Sequence, residues 1–256
     1  MTPRLAWSAY LAQARMELLL TTRRGENLLV TLVVPVALLV FLAQVPLLPA
    51  PAGVGASRID ELVPGILALA VISTGLVSLG IATAFERGSG VLKRLAGSPL
   101  PLWALVAAKA TSVLATVALQ LLLVTVVGWF LGWDPQGGVP GALLAAAPWL
   151  ILGTLAFAGL GLLLAGRLRA ETVLALANGL FLACLLVGGV VVPLERLPAL
   201  VAVPASILPP ALLADLLRGT LVPGGGVVPL EATALAAWAV ALATLAGRSF
   251  HASDED

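Results

Sequence analysis

The chain has 256 residues, 60% of them hydrophobic and 11% charged, with a formal net charge of +1. Soluble domains carry about one quarter charged residues, so this composition excludes an ordinary soluble domain. The basic residues follow the edges of apolar runs and form no separate stripe, which excludes a nucleic-acid partner.

The runs between charges are long enough to cross a bilayer, which takes about 20 apolar residues for ~30 Å of hydrocarbon. Six spans are predicted, at 28–48, 62–85, 104–131, 142–166, 172–192 and 228–247. Continuous Val, Leu and Ala with few aromatics favours helices over the alternating strands of an outer-membrane barrel. The expected fold is therefore a single all-α integral membrane domain. It carries an N-terminal interfacial amphipathic helix and short outer-leaflet helices between spans five and six.

In chain order, segment 1–27 places Trp7, Tyr10, Leu11, Ala14 and Leu18 on one helical face, with Arg4, Ser8 and Arg15 on another. That pattern predicts a helix lying in the cytoplasmic interface, Trp7 and Tyr10 at headgroup depth; the alternative is a basic leader that only sets topology. The apolar run of span one is longer than that of a cleaved signal and is read as a span. Its Pro35 should kink the helix or free one carbonyl. Loops near residues 49–61 and 132–141 are Pro- and Gly-rich and predicted outside, and the Arg167-Leu168-Arg169 turn inside. Trp103, Trp129 and Trp133 flank span three as aromatic anchors. Cys184 lies inside span five and reads as a small packing residue.

Segment 193–227 is predicted outside, yet it is apolar and broken by prolines. Two short helices dipping into the outer leaflet fit it, with Leu212, Leu213, Leu216 and Leu217 facing one way and Asp215 and Arg218 at the water; an ordinary external loop is the alternative. With the N-terminus inside, eleven basic residues lie inside and Arg58, Arg196 and Arg218 outside, out of 14 in all. This is a positive-inside bias, and it puts the tail 248–256 in the cytoplasm.

The span centres lack ionisable residues. Lys109 and Glu231 stand near interfaces and are expected to snorkel. A proton-coupled carrier is disfavoured on that ground. The polar groups at depth are Ser73, Thr74, Gln120 and Asn178, read either as helix–helix hydrogen-bonding groups or as pathway contacts. The one histidine, His251, lies in the tail, and no residues have metal-ligand or phosphate-loop spacing. The chain is expected to be non-catalytic and to bind no cofactor itself.

The densest charge lies in the inner loop 86–103. Glu86-Arg87 close span two, Gly88-Ser89-Gly90 loosen the helix, and Val91-Leu92-Lys93-Arg94-Leu95-Ala96 make a short basic turn that Gly97-Ser98-Pro99 stops. By itself this is a basic knob held below the membrane, or a loop that only sets orientation. Glu86, Arg87, Gly90, Leu92, Lys93, Arg94, Leu95 and Pro99 resemble the Glu-Arg-Glu-x-Gly-Thr-Leu-Lys-Arg-Leu signature of type-2 ABC exporter permeases, the class of daunorubicin-resistance-type drug exporters. The leading helix, Leu62-Val63-Pro64-Gly65, Lys109 and Pro193-Leu194-Glu195-Arg196-Leu197-Pro198 are similar to the same family. The chain departs from the signature at Gly88, where a second acid is usual, and at Val91, where Thr is usual.

The resemblance implies the membrane half of an ATP-driven exporter in the bacterial inner membrane. A second copy would pair with it, and a separate cytoplasmic ATPase subunit holding ATP and Mg would dock on the loop and on the interfacial helix at Trp7, Tyr10, Leu11 and Leu18. Drug, lipid or other amphiphile efflux is the expected activity. Polysaccharide or glycoconjugate export, or a non-transport scaffold or channel, are the alternatives.

Overall fold

The computed structural model describes residues 3–23, 25–45, 57–90, 102–135 and 137–252. Among these the chain is all-helical and contains no strand. Two helices open it, α1 (Pro3–Arg23) and α2 (Gly25–Gln44). Then α3 (Arg58–Ile72), a π-helical segment (Ser73–Ser78) and α4 (Leu79–Gly88) form one run of 31 residues. The long helices α5 (Leu102–Phe130) and α6 (Gly138–Arg167) follow, then α7 (Ala170–Val187). A 3-10 turn (Leu194–Arg196), α8 (Ala199–Ala205), α9 (Pro209–Leu221) and α10 (Pro229–Ala252) complete it.

Five helical runs are long and apolar enough to cross a membrane: Arg58–Gly88, Ala107–Phe130, Gly138–Arg167, Ala170–Val187 and Pro229–Ser249. The first expected span falls on α2, whose apolar part, Thr31–Gln44, is shorter; residues 46–48 lie outside those described. The pair α8 and α9 bends by 87° between Ala205 and Pro209, the geometry of a broken span or a re-entrant loop. Helix α7 stops at Val187, short of the expected 192, because Gly188 and Gly189 follow and Gly189 takes φ +71°. Helix α10 continues past 247 to Ala252.

The long run α3–α4 starts at a capping box. The Ser57 hydroxyl accepts from the Asp60 N–H at 3.3 Å, and the Asp60 carboxylate accepts from the Ser57 N–H at 2.7 Å. Its first half is buried all round, from Leu62 through Ile72. Helix α6 is the hub, packed against α10, the π segment, α4, α9 and α3. In hydrocarbon, helix contact gains little from the hydrophobic effect, so close packing at small residues carries it. A Cβ on Gly161 would stand 2.6 Å from the Gly75 carbonyl oxygen, and one on Gly159 would stand 2.9 Å from the Ala243 nitrogen. These glycines let α6 touch the π segment on one side and α10 on the other.

Three expectations are corrected by packing. Trp133, expected at the interface, is 2% exposed; its backbone N–H folds back to the Gly128 carbonyl, and its ring lies beside Gly128, whose lack of a side chain leaves the room. Trp129 stays exposed. Arg218 is not at the water. Its guanidinium is largely buried, donating to Asp215 at 3.0 Å and to the Val190 carbonyl at 2.7 Å. That carbonyl rests on the bare face of Gly65, where any side chain would collide with it. Thus α9 is locked to the start of α3 and to the turn after α7. Indole N–H groups fix the bent pair further: Trp149 donates to Thr220 and Trp238 to the Ile207 carbonyl, each at 2.9 Å. Lys109, expected to snorkel, is the third correction.

Candidate functional site: a buried ion cluster beside a polar-lined cavity

Lys109 is 4% exposed. Its ammonium lies 2.5 Å from Glu86 Oε2 and 3.2 Å from Glu17 Oε1, joining α5 to the end of α4 and to α1. A lysine that reaches water keeps its hydration. This one exchanges hydration for two carboxylates, the usual condition for a buried charge. Gln13 also donates to Glu17 Oε1 at 3.1 Å, and Tyr10 and Thr111 share a hydroxyl hydrogen bond of 2.8 Å. The face of α1 that meets α5 is therefore Tyr10, Ala14 and Glu17, at helical spacing. Trp7 and Leu11 are more than half exposed, and Leu18 is exposed as well, so the predicted apolar face is split. Trp7 keeps a tilted ring contact with Tyr10, centroids 5.2 Å apart.

Arg87, next to Glu86, turns the other way. Its guanidinium donates to the Gly166 carbonyl, and to the Leu168 carbonyl at 2.5 Å. These belong to the C-terminal end of α6, where carbonyls lack helical partners and the helix dipole favours a cation. Two consecutive residues at the end of α4 thus bind α5, and through Lys109 reach α1, on one side and bind the α6–α7 turn on the other. Helix α4 then ends, and Gly90 takes φ +73°, a left-handed turn that favours glycine. Leu92, Lys93, Arg94, Leu95 and Pro99 lie outside the described residues.

Deeper in the bundle, Thr74 donates to Gln120 Oε1 at 2.8 Å, and Gln120 Nε2 donates to the Thr31 carbonyl at 2.8 Å. Thr31 stands four residues before Pro35. Pro35 has no N–H, so the Thr31 carbonyl lacks the i+4 donor of a regular helix, and the side chain of Gln120 donates to it. The proline, the glutamine and the threonine form one clasp across α2, α5 and the π segment. The other two predicted polar residues bond within their own helices: Ser73 Oγ donates to the Ala70 carbonyl at 3.0 Å, and Asn178 Nδ2 to the Leu174 carbonyl at 2.8 Å.

A cavity of about 690 Å³ lies between α1, α2, the π segment with α4, α5 and α7. Ser73, Thr74 and Asn178 line it, and Glu17, Glu86 and Lys109 line its other end. Gln120 stands behind Thr74. The π segment, whose Leu79 N–H bonds back to the Thr74 carbonyl five residues earlier, presents Ser73, Thr74, Val77 and Ser78 to this space. Short π segments inside α-helices frequently occur at functional sites.

The family model of the ABC-2 type transporter matches residues 9–222. The chain belongs to the ABC-2 type transporter family. No curated protein matches it. The match spans α1 through α9 and so includes the ion cluster, the π segment and the bent pair. The chain is a multi-pass membrane protein and an ABC transporter permease, and membership of this family implies an ATPase partner in general.

Sequence reasoning singled out Glu86, Arg87 and Lys109 but missed Glu17. Its signal is a lone acid seven residues after Tyr10 and three after Ala14, on the face that faces Lys109. The partners of Arg87 carry no signal, since they are backbone carbonyls about 80 residues downstream.

Proposed function

We propose that this ABC-2 permease is the membrane half of an ATP-driven exporter in the bacterial inner membrane, with both termini cytoplasmic. A partner ATPase binding ATP and Mg docks on segment 86–99 and on α1, and a second copy of the chain completes the pathway. The cargo is a drug, lipid or other amphiphile, as in the daunorubicin-resistance-type exporters that the loop motif resembles. The observation that carries this reading is the bracing of the loop's first residues. Glu86 is paired to α5, and Arg87 is bonded to the end of α6. Force on a loop anchored this way reaches three long helices, whereas force on a slack loop would dissipate.

The test is co-purification with the ATPase encoded beside this chain. The unaltered permease should retain it, and Lys93→Glu with Arg94→Glu should release it while leaving the permease folded. Full retention by the doubly reversed protein would overturn the docking role of the loop.

A further inference from the structure

We propose that Arg167, Arg169 and Arg248 bind the headgroup phosphate of an anionic phospholipid, held beside the bundle as a bound neighbour and not as cargo. They lie at the end of the bundle that carries Arg87, whose guanidinium donates to the carbonyls of Gly166 and Leu168, the residues on either side of Arg167. Packing brings them there from separate helices. Any side chain on Gly166 would collide with Ser249, so α6 and α10 touch at this level, and Arg167 and Arg248 adjoin the contact. Arg169 is the N-cap of α7, two residues on.

These guanidiniums are unspent. All three residues are exposed, and among the described residues none of them has a hydrogen-bonding or ion-pairing partner for its side chain. Arg87, Arg196 and Arg218 differ, since carbonyls or carboxylates hold each of them. Glu171, the acid nearest in sequence to the α6–α7 turn, is exposed and makes no ion pair either. Three free cations against one acid leave this corner positive. A guanidinium is a planar fork that matches two phosphate oxygens at once.

Depth and surroundings select the phosphate of a lipid. Only Leu168 and Arg169 join α6 to α7, so this turn cannot extend away from the helix ends. It stays at the level where a bilayer keeps its headgroups. Helices α7 and α10 are also the apolar runs that the bundle covers least: 11% and 22% of their apolar stretches are buried, against 39% or more in the other three. Leu174 stands just over one turn beyond Arg169, and Leu245 one turn before Arg248; both are exposed. A phospholipid with its tails on these leucines brings its phosphate to the arginines. A zwitterionic headgroup neutralises its own phosphate, so a lipid of net negative charge is favoured.

The experiment mixes the full chain in dodecyl maltoside micelles with equal amounts of phosphatidylglycerol and phosphatidylcholine of the same acyl chains. Native mass spectrometry counts the lipid retained. Phosphatidylglycerol should be favoured about tenfold. Arg167→Gln with Arg169→Gln and Arg248→Gln should bring the ratio close to one. Arg15→Gln with Arg23→Gln, which neutralises two exposed arginines of α1, should leave it unchanged. No preference in the unaltered chain, or an equal loss in both variants, overturns the site. Release of the lipid by inorganic phosphate at matched ionic strength would assign the arginines to free phosphate instead. A preference seen only after Asp254→Asn, Glu255→Gln and Asp256→Asn would assign them to the acidic tail of the chain itself. Loss of the neighbouring ATPase from the triple arginine variant, with the lipid ratio intact, would assign them to that subunit. Each of these three results overturns the lipid site.

Discussion

At the scale of single residues, Gln120 and Gly65 each answer a need created elsewhere in the chain. Gln120, 1% exposed, caps the carbonyl that Pro35 leaves open. Gln120→Leu should cost about 1–2 kcal/mol, the range for losing hydrogen bonds in a membrane interior. Pro35→Ala restores an N–H to Thr31, so Gln120→Leu should cost less in that background. Unfolding titrations of the four proteins in mixed micelles read this coupling, and additive losses would refute it. Gly65→Ala should cost about 1–3 kcal/mol in the same titration, because its methyl collides with the Val190 carbonyl and there is no rotamer to relieve it. Pro35 announced in the sequence that a carbonyl would be freed. Its partner, 89 residues away, did not, because a glutamine within an apolar run fits any neighbouring helix equally well.

At the scale of elements, the helix ends and breaks are built with more care than the helix interiors. Arg87 closes α6 from outside by taking up the Gly166 and Leu168 carbonyls. Arg87→Leu should speed amide exchange in the turn joining α6 to α7 by about tenfold, with little change in the buried half of α3. Arg87→Lys, a point charge without the guanidinium fork, should give an intermediate rate. Equal exchange in all three proteins would remove the capping role. Helix existence was legible from apolar run length. The end of α4 was legible where Gly88-Ser89-Gly90 marks it, whereas the span expected to run to 192 stops at Val187, ahead of Gly188-Gly189. The π segment was not legible, since Ser73–Ser78 carries no residue that forbids an ordinary α turn; Gly75, pressed against Phe157 and Ala158, meets its reason only in the packed bundle.

At the scale of the whole molecule, Glu17, Lys109 and Glu86 tie α1, the long run α3–α4 and α5 together. Lys109→Met should cost about 3–5 kcal/mol, because it removes the cation shared by buried Glu17 and half-buried Glu86. Replacing all three, with Glu17→Gln, Lys109→Met and Glu86→Gln, should recover most of that loss. Folded yield by size exclusion distinguishes the cases, and a triple variant as unstable as the single one would show that the charges are not the source. The sequence by itself determined the membrane class and the helical secondary structure, because hydrocarbon allows a spanning backbone only bonds within its own segment. It also carried the family in its motifs. Tertiary structure alone decided that Lys109 is buried, that Arg218 turns inward and that Ser73, Thr74 and Asn178 line one cavity. Those outcomes depend on which helices cross at Gly65, Gly75 and Gly161, and a contact between residues far apart in the chain leaves no periodic trace in either segment.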